Sequence, residues 1–243
     1  FPFAEKSSRS LARLIAVGLL LFGLVSTVRA DLDTGLVAYY PFDGNASDMS
    51  GNGNDGTVNG ATPGTDRHGA SGKAYGFDGS NDYIQIGNDD SLNVSSSSPF
   101  TFGFWFKPGS SQAGGITMKN GQYGFQWQGS SSSVRYYDNT YRNSAKTSWN
   151  LNEWHHMAMV QTGSHLYLYV NGQPDSNHST TYNPALVSDS LYIGKHPTYF
   201  GAFDGSIDEV RIYNRALSAV EVAALYQLEN TPPNQPPVFA ESN

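Results

Sequence analysis

The chain has 243 residues, with 14 Lys and Arg against 21 Asp and Glu, 26 Gly, 12 Pro and no Cys. Charged residues make up 14% and aromatic residues 13%, which excludes a coiled coil, extended disorder and a collagen-like chain and suits an all-β domain. Without cysteine there is no disulfide framework, no thiolate zinc site and no cysteine nucleophile.

Lys6, Arg9 and Arg13 precede an apolar run from Leu14 to Val25, which is followed by Ser26-Thr27-Val28-Arg29-Ala30. This order of charge, apolar stretch and small residues predicts a secretory signal peptide over residues 1–30, cleaved after Ala30. As a helix the run spans about 18 Å, short of the ~30 Å hydrocarbon core that a membrane anchor needs. Lys6, Arg9, Arg13, Arg29 and Glu5 fall in this segment, which leaves 10 basic and 20 acidic side chains beyond it. Such a surface repels nucleic acid and anionic lipid and favours cations, so neither nucleic-acid binding nor membrane insertion of the mature chain is expected.

From Leu36 to Tyr213 the apolar period is 2 rather than 3.6. Strands are predicted at Tyr83–Ile86, Phe100–Phe106, Tyr123–Trp127, His156–Val160, Leu166–Val170 and Leu191–Ile193. The fifth ends at Asn171-Gly172, a strong hairpin signal. Their spacing, with Gly, Asn, Ser or Asp between them, predicts a two-sheet antiparallel jelly-roll sandwich. Phe102, Phe104, Trp105 and Trp154 are expected to fill its core.

One short helix is predicted, Ala219–Gln227. Ser218 and Glu221 form a capping box and Leu217 and Val222 occupy staple positions. After the last strand such a helix is expected on the edge of the sandwich. Thr231 to Pro237 then holds four prolines, which make residues 230–243 an extended linker into a possible further module. The domain itself is expected over residues 31–229.

Four segments in order resemble the LamG-like jelly-roll domains of the concanavalin A-like lectin/glucanase superfamily. They are Gly35–Asp48 running into Ser50–Gly56, Gly72–Tyr83, Phe102–Phe106 with Glu153–His156 and Leu166–Gly172, and Phe203–Ser218. The resemblance implies two antiparallel sheets, one concave, a calcium site near the first loops, and saccharide binding, adhesion or attachment of a catalytic domain to polysaccharide. A fold of this kind supports many functions, so the residues must choose among them.

Calcium takes about six to eight oxygen ligands in a bent loop. Asp43, Asn45, Asp48, Asn52 and Asp55 lie close together, interleaved with Gly. Asp43, Asn45, Asp48 and Asn52 are taken as candidate ligands, with Asx turns as the competing role for these residues. The resemblance places Asp208 across from this loop and makes it the leading ligand, because a carboxylate within an apolar strand needs a partner. A salt bridge to Arg211 or Arg215 is its alternative.

Saccharides are held by flat aromatic rings and by amide, carboxylate or guanidinium groups. Tyr137, Tyr141 and Trp149 lie in a stretch rich in Gln, Ser, Asn and Arg, and Tyr199 and Phe200 form a second aromatic loop. Since Tyr136 and Tyr137 are adjacent in a strand, only one can face a groove. These five residues are the candidate ligand contacts.

Glycoside hydrolysis needs two acids about 5–9.5 Å apart. Beyond the leader the chain has only Glu153, Glu209, Glu221, Glu229 and Glu241. None repeats the Glu-x-Asp-x-x-Glu strand of laminarinase-like relatives, and Asp208 and Glu209, as strand neighbours, are expected on opposite faces. The six His show no zinc spacing. The sequence thus reads as a non-catalytic, calcium-stabilised carbohydrate-binding or adhesion module of a larger secreted or cell-surface protein. Its partner would be a polysaccharide or glycoconjugate, with a protein-interaction or spacer role as the alternative.

Overall fold

The computed structural model describes residues 32–94, 98–129, 133–137, 140–179, 188–198 and 201–232. The predicted leader, most of the predicted linker, Tyr199 and Phe200 lie outside them. The chain divides into two units, residues 1–34 and 35–243, and all elements named below belong to the second.

Among the described residues fifteen strands are formed, in chain order. They are β1 (Leu36–Tyr40), β2 (Gly56–Asn59), β3 (Thr62–Thr65), β4 (Ser71–Asp78), β5 (Tyr83–Ile86), β6 (Phe100–Pro108), β7 (Gly114–Lys119) and β8 (Tyr123–Trp127), then β9 (Val134–Tyr137), β10 (Tyr141–Asn143), β11 (His155–Gln161), β12 (His165–Val170), β13 (Gln173–Ser179), β14 (Leu191–Ile193) and β15 (Asp204–Tyr213). Helix α1 (Ala219–Asn230) follows the last strand. No helix of the described residues is long and apolar enough to cross a membrane.

The strands make two antiparallel sheets. The eight-stranded sheet has the order β13-β12-β11-β6-β15-β4-β3, with β1 beside the C-terminal half of β15. The seven-stranded sheet runs β10-β9-β8-β7-β14-β5-β2. Alternation decides which side chains meet between them. Phe100, Phe102, Phe104 and Phe106 of β6 face inward and pack on Tyr123, Phe125 and Trp127 of β8. All the predicted strands form, and Asn171 and Gly172 take φ of 49° and 73°, the left-handed pair of a tight hairpin. Two strands that alternation did not announce, β3 and β13, are polar, carry Pro63 and Pro174, and sit at the two edges of the eight-stranded sheet. Proline and polar side chains are tolerated there because one side of the ladder is unpaired.

Three expectations need correction. Trp154 is half-buried under the ammonium of Lys107, 5.2 Å from its ring centre, and is not in the core. Trp105 is buried but faces away from the second sheet, stacked at 5.5 Å on Tyr226 of α1. The helix therefore lies on the outer face of the eight-stranded sheet, over β6, rather than on the sandwich edge. Leu225 of the helix lies over Gly103 of β6, 3.9 Å from where a Cβ would stand, an ordinary packing contact. The capping box is formed as predicted: the Ser218 N–H donates to Glu221 Oε2 at 2.7 Å and the Glu221 N–H to Ser218 Oγ at 3.3 Å.

Candidate functional site

Residues paired across neighbouring strands point to the same side of a sheet. On the outer face of the seven-stranded sheet, one continuous row runs Tyr141, Tyr137, Gly124, Met118, Tyr192, Gln85, Thr57. Six inter-strand steps of about 4.8 Å make this row about 29 Å long. Its centre is filled rather than open: Met118 is buried, and a Cβ on Gly124 would lie 2.6 Å from its sulfur. The aromatic rings stand at either end of that floor.

At one end, the Tyr137 and Tyr141 rings are 5.2 Å apart, and the Arg135 guanidinium lies 5.5 Å from the Tyr141 ring centre. Tyr141 is 42% exposed. Tyr136 is fully buried in the core while Tyr137 is half-buried on the outer face, so the strand alternation selects Tyr137. At the other end, Tyr192 and Tyr83 meet edge to face at 5.9 Å, and Lys195 places its ammonium 3.2 Å from the Tyr83 ring centre. Gln85 Nε2 donates to Ser190 Oγ at 3.1 Å beside them. The sequence reading missed this second cluster. Its signal was present in Tyr83-Ile84-Gln85-Ile86 and Leu191-Tyr192-Ile193, where the tyrosines occupy the positions that the buried Ile and Leu leave to the outer face.

Trp149 does not belong to this face. It is 5% exposed, packs on Phe106 at 5.6 Å and on His155 at 5.1 Å, and donates its Nε1–H to the Lys146 carbonyl. A large flat ring next to the sandwich interior gains more from burial than from solvent contact.

The first-loop residues expected to ligate calcium each have a partner within the chain. Asp43 is turned to Lys73, 3.1 Å away, and Asn45 Oδ1 accepts from the Ser47 N–H. Asp48 is saturated by donors of the chain itself: the N–H groups of Tyr39, Ser50 and Asn54 and the Ser50 hydroxyl, all within 3.0 Å. Asn52 points its amide nitrogen at the Leu36 and Val37 carbonyls. Among the described residues no group of three or more carboxylate or imidazole side chains is arranged for a metal. The Asp/Asn/Gly loop organises itself through Asx turns, which engage these side chains with donors of the chain itself.

Asp208 lies elsewhere, under α1. It is 1% exposed and pairs with Arg67 at 2.7 Å, a partner the sequence did not single out. Glu209 has φ of 50° at a register shift in β15, which corrects the expected alternation. This β-bulge puts Asp208, Glu209 and Arg211 on one side, so that Arg67 reaches both carboxylates. Glu229 of α1 completes the cluster, accepting from Trp105 Nε1 at 2.7 Å and Arg211 Nε at 2.8 Å. Its backbone carbonyl, left unpaired at the helix end, accepts from the Arg67 guanidinium and lies 3.1 Å from His68 Nε2. Burial, and then the neighbouring Glu209, push the Asp208 carboxyl up to about 8 against the pull of Arg67. Burial likewise raises Glu229. His156, packed on Trp105 with neither ring nitrogen hydrogen-bonded, is pushed down to about 3 by burial. The cluster is sealed and fastens the helix.

Other carboxylates are engaged as well: Glu153 accepts from Asn150, Glu209 from Tyr39, and Glu221 caps α1. An open cavity of about 410 Å³ on the eight-stranded side gathers Asp78, Asp82, Asp204 and Lys107, so the acidic character of the domain is displayed there and not on the tyrosine row.

Solved binding domains share this fold. Domain 4 of AbnA, a GH43 extracellular arabinanase from Geobacillus stearothermophilus in complex with arabinotriose, superposes with a TM-score of 0.62 at 24% identity, over 79% of this chain and 98% of that domain. The binding domain of Paraclostridial Mosquitocidal Protein 1 gives 0.67 at 18% identity over 82% of this chain. The botulinum neurotoxin serotype D ligand binding domain, in complex with N-acetylneuraminic acid, gives 0.66 at 14% over 83%. The match spans about half, 53%, of each of these two toxin domains. No curated protein sequence matches the chain. A laminin G family model matches residues 78–223, from the end of β4 into α1, and the chain accordingly belongs to the concanavalin A-like lectin/glucanases superfamily.

Proposed function

We propose that this protein is a non-catalytic carbohydrate-binding module of an exported protein, and that it holds its glycan on the outer face of the seven-stranded sheet. One observation carries the reading: Tyr141, Tyr137, Tyr192 and Gln85 stand in a single cross-strand row, with Tyr83, Arg135 and Lys195 beside it. Rings supply apolar contact with sugar faces, while amides and cations supply directed hydrogen bonds to hydroxyls. Support comes also from the fold neighbours, an arabinanase domain with arabinotriose and a toxin domain with N-acetylneuraminic acid. The non-catalytic part rests on carboxylates that are capped, buried or paired. The exported part rests on the sequence pattern of residues 1–30.

The test is binding of the full chain to a panel of soluble polysaccharides, beside a Tyr137→Ala/Tyr141→Ala double variant. Retention on at least one polymer, weakened about tenfold or more in a variant that melts like the parent, supports the module. No retention by folded protein on any polymer would move the chain to a spacer or protein-facing role.

A further inference from the structure

We infer that the glycan taken by this face is anionic, carrying carboxylate or sulfate groups, and this inference rests on the carbohydrate-binding reading above. The domain is strongly acidic, with twice as many acidic as basic side chains beyond residue 30. A ligand-neutral surface would scatter those acids over both sheets. Yet among the described residues no outward-facing strand position of the seven-stranded sheet bears a carboxylate; these positions hold tyrosine, amide, threonine, Met118, glycine and Arg135. Asp189, just before β14, is drawn aside by Asn120 at 2.9 Å.

The cations on this face are held for a ligand rather than for each other's neutralisation. Arg135 and Lys195 have no carboxylate within ion-pair reach among the described residues. Lys107 and Lys146 have none either, but Lys107 shares its cavity with Asp78, Asp82 and Asp204, whereas no acid lines the strand positions around Arg135. Arg135 and Lys195 are each instead fixed on a tyrosine ring, which positions the charge without cancelling it. Gln126 joins them: it pairs across to Arg135 on one side and to Gly115 on the other, is fully buried, and its amide nitrogen has no acceptor. A buried donor without a partner is uncommon enough to need one. The Lys195–His196 backbone packs directly against Gly115. Arg135 therefore sits two strand steps, about 10 Å, from Gly115, against which the Lys195 segment packs. A sheet face whose described strand positions carry only positive charge, in an otherwise acidic domain, concentrates the opposite charge at that place. Two separated cations favour a chain with repeated charges over a single charged sugar.

The experiment presents the full chain with polymer pairs that differ in charge alone: polygalacturonate and its methyl ester, and dextran sulfate and dextran. The expected result is binding to a charged member at least tenfold tighter than to its neutral counterpart. That binding should fall severalfold between 0.05 and 0.5 M NaCl as screening shortens. Arg135→Ala and Lys195→Ala, each folded by its melting curve, should each lower it severalfold, with a shallower salt dependence. Equal affinity for both members of each pair, or binding confined to neutral polymers, would overturn the anionic assignment and leave the carbohydrate reading standing. Failure to bind any polymer would overturn both.

Discussion

Lys195 holds its ammonium 3.2 Å from the ring centre of Tyr83 and 4.7 Å from that of Tyr192. The lysine belongs to the segment directly after β14, Tyr83 to β5 and Tyr192 to β14, so the contact ties β5 to β14 and its extension in one surface. A cation over a half-buried ring is worth about 0.5–2 kcal/mol. Tyr192→Ala removes one ring and loosens the lysine. It should lower glycan affinity by about 1–2 kcal/mol, roughly fivefold to thirtyfold, in a titration of the best-bound polymer. An unchanged affinity would detach this end of the row from the site.

Trp149 should behave in the opposite way. Its ring fills the interior beside Phe106, so Trp149→Ala should cost about 3–5 kcal/mol and lower the melting temperature by roughly 6–20 °C. Affinity per folded molecule should stay within about twofold. A large loss of affinity in a stable variant would restore Trp149 as a ligand contact.

Glu229 fastens α1 to the sheet through Trp105 and Arg211. Glu229→Ala takes the acceptor from the buried Arg211 Nε and leaves this guanidinium only Glu209, 3.3 Å away, so the loss should approach the ~3–5 kcal/mol of a broken buried pair. Urea unfolding should show that loss, and hydrogen exchange should show it first in residues 219–230. Protection of the helix as strong as in the parent would mean that its apolar contacts suffice alone.

The same cluster predicts a pH dependence. Three carboxylates, Asp208, Glu209 and Glu229, face two guanidiniums, Arg67 and Arg211, in a place from which water is excluded. Asp208 and Glu229 are raised above their unfolded values, so the stability they contribute is complete at low pH and is lost as pH rises through about 8 for Asp208. His156 is lowered to about 3, so its contribution is present above about 6.5 and is lost as pH falls towards 3. The two effects oppose each other below pH 6.5, and above it only the carboxylates act. Melting temperature should therefore fall between pH 6.5 and 8.5, and Asp208→Asn should flatten that fall. A parent whose stability rises over this interval would contradict the assignment.

Calcium should have little effect on folding. Asp48 already accepts four hydrogen bonds from β1 and its own loop, and Asp208 is committed to Arg67. Addition of 5 mM calcium or of a chelator should move the melting temperature by less than about 1 °C. A shift of several degrees would require a ligand shell that these side chains do not form on their own.

Much of this architecture was legible in the residues because the signals are local. Phe100 to Phe106 alternates large rings with small residues and announces a strand with one buried face. Asn171-Gly172 can take the left-handed pair of a hairpin at little cost, and Ser218 with Glu221 announces the start of a helix. Tyr137 was separable from Tyr136 by the same period of two. Trp149 was not separable from an exposed ring, because an aromatic in a polar stretch carries no mark of what lies above it.

Sequence by itself determined the alternating strands, the hairpin, the capped helix, the acidic balance and one end of the aromatic row, since each depends on neighbours within a few positions. Only tertiary structure decided what those strands place side by side. It set Tyr192 and Gln85 in register with Tyr137, and it gathered Arg67, Asp208, Arg211 and Glu229 from distant parts of the chain. It also made the bulge at Glu209 that overrides alternation. The physical reason is that register and sheet order are fixed by packing between the two sheets and beneath the helix, and burial then chooses which charges must find partners.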